Sequence, residues 1–164
     1  TKEFVVSVYK QIVSALCYMH SKGYVHQDIK PGNILLFSNG TAKLADLGNC
    51  ERAIEAGDLF GTPAYQPPEI FADFDGDYED IPPIDHYKGD VWSLGISIYQ
   101  TIFGDLPFKG TNIYEITRVA LRTKFEVPST DYAEAAQLLN QMIVADPTHR
   151  IEMEEVLKHP FFSL

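Results

Sequence analysis

GYVHQDIKPGNILL, residues 23–36, sets Asp28, Lys30 and Asn33 in one short polar loop between two apolar runs. A β-hairpin is predicted directly after this loop. The apolar runs ILLF and TAKLAD flank Asn39-Gly40, and both of these turn residues favour positive φ. The polar loop is therefore expected to lead straight into the first strand of the hairpin.

A hairpin brings its two ends together, so Asp46 is expected beside Asp28 and Asn33. Carboxylate and amide oxygens are hard ligands that hold Mg²⁺, and a carboxylate also positions an attacking hydroxyl. Taken singly, Asp28 fits a turn former and Asp46 fits a cap at the end of a strand. Together with Lys30 and Asn33, they predict a site suited to phosphoryl transfer.

The rest of the chain is predicted to be mainly helical. Apolar residues at helical spacing predict an amphipathic helix over residues 3–21. The segment VWSLGISIYQTIF, residues 91–103, is apolar on nearly all sides and is predicted to be a central buried helix. The fold class is therefore α+β, mainly α-helical, with one short hairpin. Further helices are expected at about 112–121, 132–144 and 152–158.

Two long segments lack a regular pattern. Residues 49–69 contain Gly61 and three prolines without clear periodicity, which predicts a loop. Residues 71–89 hold six acidic side chains against Lys88 alone, and we expect them to form an acidic exposed excursion.

The composition restricts the compartment and the partners. The chain has 164 residues, 45% of them hydrophobic, which is enough for one domain with a core. A formal charge of −10 repels phosphate backbones, and no apolar run approaches the ~20 residues that span a bilayer. The two cysteines have no motif spacing, which favours free thiols in a reducing cytosol. We therefore expect a cytoplasmic protein, with the nucleus as the alternative, that neither binds nucleic acid nor spans a membrane.

Several segments match one family in the same order. HQDIKPGN followed by DLG resembles the protein-kinase signatures H-R-D-x-K-x-x-N and D-F-G. GTPAYQPPE stands where kinases end the activation segment, here residues 46–69, and DVWSLG corresponds to the start of their central helix. GDLPF, DPTHRI and HPFF match later kinase segments. By this resemblance, residues 1–164 are identified as the C-terminal (large) lobe of a eukaryotic protein kinase, a partial catalytic domain.

The resemblance implies roles for the site residues. Asp28 corresponds to the base that accepts the substrate hydroxyl proton, a role worth about 10²–10⁴ in rate. Lys30 would balance the negative charge that develops on the γ-phosphate of ATP. Asn33 and Asp46 would bind Mg²⁺, with Mn²⁺ as the alternative metal. Lys30 and Thr62, which stands where the substrate segment contacts the loop, favour a serine/threonine kinase acting on protein substrates.

Other positions are implied to support the site. His26 would be a packed structural histidine, and Gly48 would give the backbone freedom after the D-L-G acid. Asp90 would accept backbone N–H groups from the catalytic loop. Glu69 and Arg150 would form a buried ion pair that joins the activation segment to the later helices.

The residue at position 27 indicates how the activation segment is ordered. Most kinases carry Arg at this position, which grips a phosphate on the activation loop through charge-assisted hydrogen bonds. Gln27 is neutral, and residues 49–60, NCERAIEAGDLF, contain no Ser, Thr or Tyr. Both features indicate that phosphorylation does not order this segment, so its order is expected to come from elsewhere, such as a partner protein.

PAYQPPEI and GTNIYEI resemble the liver-kinase-B group of serine/threonine kinases, also called the PAR-4 type. Members of that group lack the Arg and use D-L-G. The resemblance implies an activating pseudokinase and a scaffold protein as partners. It also implies substrates among the activation loops of AMP-activated-kinase relatives.

The sequence contains neither a G-x-G-x-x-G loop nor a V-A-I-K lysine. The chain is therefore expected to lack the N-terminal lobe, and to be inactive alone because nothing positions the nucleotide. One alternative is a pseudokinase-like scaffold or binding module, although pseudokinases generally lose acids such as Asp28 or Asp46. Another is an unrelated metal-dependent hydrolase, which does not predict QPPE, DVWSLG or Arg150.

Overall fold

The computed structural model describes residues 1–57, 61–71, 84–128 and 132–163. These residues form a mainly α-helical fold with two small antiparallel sheets, which confirms the predicted fold class. The helices are α1 (Lys2–Ser21), α2 (His86–Phe103), α3 (Ile113–Arg122), α4 (Ala133–Met142) and α5 (Met153–Lys158). The strands are β1 (Tyr24–Val25), β2 (Ile34–Leu36), β3 (Ala42–Leu44) and β4 (Glu51–Arg52). Single 3₁₀ turns lie at Pro31–Asn33, Leu47–Asn49, Pro63–Tyr65, Pro68–Ile70, Pro147–His149 and Pro160–Phe162.

The core lies between α2 and the helices that surround it. α1 packs one face against β3, α5 and α2, and side chains such as Ile12 and Leu16 on that face are fully buried. Burial of a side chain of this size contributes about 1.5–3 kcal/mol. α4 also packs against α2. The positions of α1, α3, α4 and α5 agree with the predicted helices to within two residues at each end. Among the described residues, no helix has both the length and the apolar composition needed to cross a membrane.

α2 begins at His86, five residues before the predicted start at Val91. The side chain of Asp85 accepts hydrogen bonds from the backbone N–H groups of Tyr87 and Lys88 and so caps the helix. The last four residues of the segment 71–89, predicted to be exposed, are therefore helical, and Lys88 is buried. Residues 72–83 of that segment lie outside the described residues.

Lys88 is tolerated in the core because its ammonium group has partners there. Its Nζ donates to the carbonyl oxygen of Arg150 and lies 2.7 Å from Oε1 of Glu152. Glu152 precedes α5, and its backbone N–H is accepted by the side chain of Glu155. The ends of α2 and α5 are joined by these contacts.

The predicted hairpin is present as β2 and β3, but its turn differs from the prediction. Only Gly40 takes a positive φ, of 82°, and Asn39 does not. The N–H of Phe37 donates to the carbonyl of Thr41, and the carbonyl of Phe37 accepts the N–H of Gly40. The loop therefore has three residues and ends in a left-handed glycine. Asn39 instead accepts the backbone N–H of Thr41 with its side chain.

β4 corrects the prediction of a loop over residues 49–69. It pairs with β1, with Val25 opposite Glu51 and Tyr24 opposite Arg52. The pairing is extended by a hydrogen bond from the N–H of Ala53 to the carbonyl of Gly23. A strand of two residues has no periodicity that a sequence pattern reveals. It ties the start of the predicted activation segment to the strand before the polar loop.

Candidate active site

Asp28 lies at the centre of a hydrogen-bonded cluster in the loop between β1 and β2. Its side chain is 6% exposed. Its Oδ2 accepts hydrogen bonds from Nζ of Lys30 at 2.9 Å and from Nδ2 of Asn33 at 3.0 Å. Its Oδ1 accepts a hydrogen bond from the hydroxyl of Thr62 at 2.7 Å. Three of the predicted site residues therefore meet at one carboxylate.

The pKa of Asp28 lies below its ordinary value. Burial acts to raise this pKa, but the hydrogen bonds from Lys30, Thr62 and Asn33, together with the charge of Lys30, outweigh the burial. The carboxylate is therefore ionised at neutral pH, as a proton acceptor must be.

Lys30 connects the polar loop to the 3₁₀ turn at 63–65. Its Nζ donates to the hydroxyl of Thr62 at 2.6 Å as well as to Asp28. The hydroxyl of Thr62 thus lies between a cation and a carboxylate. This contact brings the end of the predicted activation segment directly against the loop.

Asn33 and Asp46 lie at the open end of the hairpin. Nδ2 of Asn33 donates to both the carbonyl and the carboxylate of Asp28, which turns Oδ1 of Asn33 away from Asp28. The N–H of Ala45 donates to the carbonyl of Asn33 at 2.8 Å, so Asp46 follows next to the loop. Asp46 is exposed, has a φ of 60°, and accepts the N–H of Gly48 at 3.3 Å.

These two side chains suit a nucleotide-bound Mg²⁺. They offer one amide oxygen and one carboxylate, and Mg²⁺ in such sites completes its octahedron with phosphate oxygens and water. The described part of the chain contains no group of three or more His, Cys, Asp or Glu side chains that could hold a metal ion. Among the residues that the structure describes, Asn33 and Asp46 therefore offer a partial ligand set for the metal.

Gly48 does not take the positive φ that its predicted role suggests; the left-handed residue is Asp46. A Cβ built on Gly48 would lie 3.1 Å from Oδ1 of Asp46, closer than most such contacts. Gly48 therefore provides space for the Asp46 side chain and a backbone N–H that holds it.

Asp90, near the start of α2, holds the backbone of the loop. It is 1% exposed, and its two oxygens accept the backbone N–H groups of His26 and Gln27, each at 2.9 Å. Nε2 of His20, on α1, lies 2.8 Å from Oδ2 of Asp90. These are the backbone contacts predicted for Asp90, and they fix the loop to the two longest helices.

His26 is completely buried, as a packed structural histidine should be. Its Nδ1 accepts the backbone N–H of Asp28 at 3.3 Å, and its Nε2 lies 3.1 Å from the carbonyl of Ala45. Because Nδ1 accepts, Nε2 is the ring nitrogen that donates to the carbonyl of Ala45. His26 thereby links the loop to the end of β3.

Glu69 and Arg150 form a bidentate ion pair away from the loop. The distances are 2.8 Å between NH1 and Oε1 and 3.0 Å between NH2 and Oε2, and both side chains are at most 1% exposed. The guanidinium also donates to the carbonyls of Val144 and Lys88 and lies over the ring of Trp92. The pair joins the 3₁₀ turn at 68–70 to the connection before α5.

Some site contacts have no signal in the sequence. The hydroxyl of Tyr65 donates to Oε1 of Gln100 at 2.5 Å, and the hydroxyl of Ser93 donates to the carbonyl of Tyr65 at 2.8 Å. Both partners lie on α2, where helical spacing identifies Ser93 only as part of a buried face. These contacts place the turn at 63–65 against the central helix.

The family model of the protein kinase domain matches residues 1–162. Together with the loop geometry, this match shows that the chain belongs to the protein kinase family.

The chain is similar to kinases of the liver-kinase-B type and to other serine/threonine kinases. Serine/threonine-protein kinase STK11 of Rattus norvegicus is 36% identical over 160 residues, which cover 94% of this chain and 35% of that protein. CBL-interacting serine/threonine-protein kinase 5 of Arabidopsis thaliana is 35% identical, with 93% and 34% covered. Maternal embryonic leucine zipper kinase of Xenopus tropicalis is 34% identical, with 93% and 23% covered. The chain thus spans about a third or less of the length of these relatives.

Proposed function

We propose that residues 1–164 provide the catalytic loop and metal ligands of a kinase that transfers the γ-phosphate of ATP to a protein serine or threonine. The observation that carries this proposal is the convergence of Lys30, Asn33 and Thr62 on the ionised carboxylate of Asp28. A carboxylate that already accepts a hydrogen bond from a hydroxyl is suited to orient a substrate hydroxyl and to accept its proton.

Each residue of the cluster has a distinct task in this proposal. Asp28 orients the attacking hydroxyl, and Lys30 places a positive charge beside the point where the phosphoryl group is transferred. Oδ1 of Asn33 and the carboxylate of Asp46 would hold Mg²⁺, or Mn²⁺ as the alternative. The metal, when bound with ATP, neutralises phosphate charge. Asp90 and His26 hold the backbone of the loop in place by their buried hydrogen bonds.

The preference for serine and threonine rests on Thr62 and Lys30. Their direct contact at 2.6 Å fixes the segment that would carry the substrate at a short distance from Asp28. A peptide assay with matched Ser, Thr and Tyr acceptors tests this preference.

We propose further that an activating pseudokinase and a scaffold protein regulate the whole kinase. Similarity to STK11 and the absence of hydroxyl side chains in residues 49–60 support this proposal. The two cysteines, neither of which forms a disulfide, favour action in the cytoplasm or nucleus.

A pseudokinase-like scaffold without phosphotransfer is the second candidate. These 164 residues contain neither a G-x-G-x-x-G loop nor a V-A-I-K lysine, so the sequence of the full-length protein distinguishes the scaffold from the enzyme. The retained acids Asp28 and Asp46 favour the enzyme over the scaffold.

Phosphate transfer by the full-length protein, with ATP and Mg²⁺ and with or without candidate activators, tests the enzyme. We expect turnover that falls about 10²–10⁴-fold in Asp28→Ala. It should also fall in Asp46→Ala and persist in Asp105→Ala, which removes an exposed acid beyond α2. Nucleotide hydrolysis without modification of any hydroxyl would instead indicate a hydrolase. A protein that neither transfers nor hydrolyses would support the scaffold.

A further inference from the structure

Gln27 joins three segments of the chain through three hydrogen bonds. Its backbone N–H donates to Oδ1 of Asp90 at 2.9 Å, and its side-chain Nε2 donates to the carbonyl of Asn49 at 3.2 Å. Its own carbonyl accepts a hydrogen bond from Nε2 of Gln66 at 3.2 Å. α2, the start of the predicted activation segment and the end of that segment therefore meet at one residue.

The backbone of Gln27 is held in an uncommon conformation. Its φ is 66°, a left-handed value that residues other than glycine take at a cost of about 1–3 kcal/mol. Such a conformation persists only where the surrounding contacts determine it. Asp90 holds the backbone N–H of Gln27, and Gln66 holds its backbone carbonyl. With both groups held, the Gln27 carbonyl faces residues 61–66.

Gly61 leaves the space through which Gln66 reaches Gln27. Its φ is 95°, and a Cβ built on it would overlap both Nε2 of Gln66 and the carbonyl oxygen of Gln27. The carbonyl belongs to a backbone that Asp90 fixes, so it cannot yield as the end of a flexible side chain would. A side chain at position 61 would therefore displace the Gln66 amide.

We propose that Gln66 is a positioning residue for phosphotransfer, and that with Gln27 it forms a neutral amide clamp. The amide clamp consists of two hydrogen bonds, from Nε2 of Gln66 to the carbonyl of Gln27 and from Nε2 of Gln27 to the carbonyl of Asn49. Gly61 leaves the space for the first of these bonds. It holds Thr62, the neighbour of Gly61, against Asp28. This inference rests on the proposed function.

The amide clamp supplies the order that a phosphate bound by arginine supplies in other kinases. It joins both ends of the segment to the catalytic loop and needs no charge, which agrees with the lack of a hydroxyl side chain in residues 49–60. Because the amide clamp needs no phosphate, the kinase should keep its activity after phosphatase treatment. A neutral hydrogen bond is also little affected by ionic strength, whereas exposed charge pairs are screened.

The test compares full-length variants of Gln66 with a matched control. Gln66→Leu and Gln66→Glu remove the amide donor, and Gln66→Lys keeps a donor of similar reach. Gln137→Leu, at an exposed position of α4, is the control. Peptide and ATP kinetics are measured together with hydrogen–deuterium exchange over residues 61–66.

We expect Gln66→Leu to lower kcat/KM for peptide by about 10- to 100-fold, because it removes the side-chain donor that holds residues 61–66 to the carbonyl of Gln27. The KM for ATP should not change, and exchange over residues 61–66 should become faster. Gln66→Lys should recover most of the activity, and Gln137→Leu should match the wild type. Gln66→Glu should repeat the effect of Gln66→Leu, which covers the case in which Gln66→Leu fails to fold.

Normal peptide kinetics and unchanged exchange in the donor-free variants would overturn the inference. So would a loss of activity in Gln66→Lys equal to that in Gln66→Leu, since the donor would then be irrelevant. If the wild type transfers no phosphate while exchange still rises in Gln66→Leu, the proposed function fails and the amide clamp stands.

Discussion

Asp28 owes its charge state to its neighbours and above all to Lys30. Its folded-state pKa is depressed, so the ionised carboxylate contributes stability above the unfolded pKa and loses that contribution as the pH falls through the folded pKa. The same depression keeps a proton acceptor available on the acid side of neutrality. Lys30 acts on this carboxylate by both a hydrogen bond and its charge.

Lys30→Met removes both effects and should raise the pKa of Asp28. We expect the acid limb of the profile of kcat/KM against pH to move to higher pH in the full-length variant, in addition to a loss of maximum rate. Lys124→Met, which removes an exposed lysine paired with Glu126, is the control. An acid limb that stays in place when Lys30 is replaced would show that another group sets it.

Residues of the site differ in how far the sequence predicts them. Asp28 and Asn33 belong to one motif of fixed spacing and Asp46 to a second motif, and the hairpin brings the two motifs to one end of the fold. Gln66 lies in the QPPE segment, but that resemblance implies no role for its side chain, and its contact with Gln27 joins positions 39 residues apart. Such a contact depends on the path of the chain around Gly61, so it becomes visible only in the structure.

At the scale of elements, the Glu69–Arg150 pair joins the turn at 68–70 to the connection between α4 and α5. Removal of one partner leaves the other charge buried, and this typically costs about 3–5 kcal/mol. We expect Arg150→Met to lower the free energy of unfolding by that amount in urea denaturation. Lys109→Met, which breaks an exposed pair with Asp105, should leave the free energy of unfolding nearly unchanged. Equal unfolding midpoints for the two variants would contradict the assigned role.

Elements are predictable in proportion to their length. α1 and α4 repeat an apolar pattern over several turns, so the sequence locates them closely. β4 has two residues, and the start of α2 depends on a single cap, Asp85, within an acidic run. Acidic composition suggested exposure there, but the capping bonds and the partners of Lys88 decide the structure.

On the scale of the whole molecule, α2 is the common support of the site. Asp90 holds the polar loop, Ser93 and Gln100 hold the turn at 63–65, and the carbonyl of Lys88 accepts a bond from Arg150. The polar loop, the turn at 63–65 and the ion pair thus all contact this one helix. A displacement of α2 would disturb all three together.

The support of the site and the binding of the nucleotide are separate requirements. In the proposed function, Lys30, Asn33 and Asp46 contact the phosphates and the metal of the nucleotide. The apolar side chains of Leu35 and Leu47 beside the hairpin are exposed, and no glycine-rich loop occurs in these residues to cover a base. We therefore expect residues 1–164 alone to transfer no phosphate from ATP to a peptide, whereas the proposed function assigns this transfer to the full-length protein.

The comparison uses the same ATP, Mg²⁺ and peptide for both proteins, with Asp28→Ala as the baseline for each. Circular dichroism before the assay establishes that residues 1–164 are helical, so that a lack of turnover reports missing nucleotide contacts and not an unfolded chain. Titration with ATP and Mg²⁺ should then show no saturable binding. Turnover by residues 1–164 above the Asp28→Ala baseline would mean that the loop and hairpin position the nucleotide by themselves.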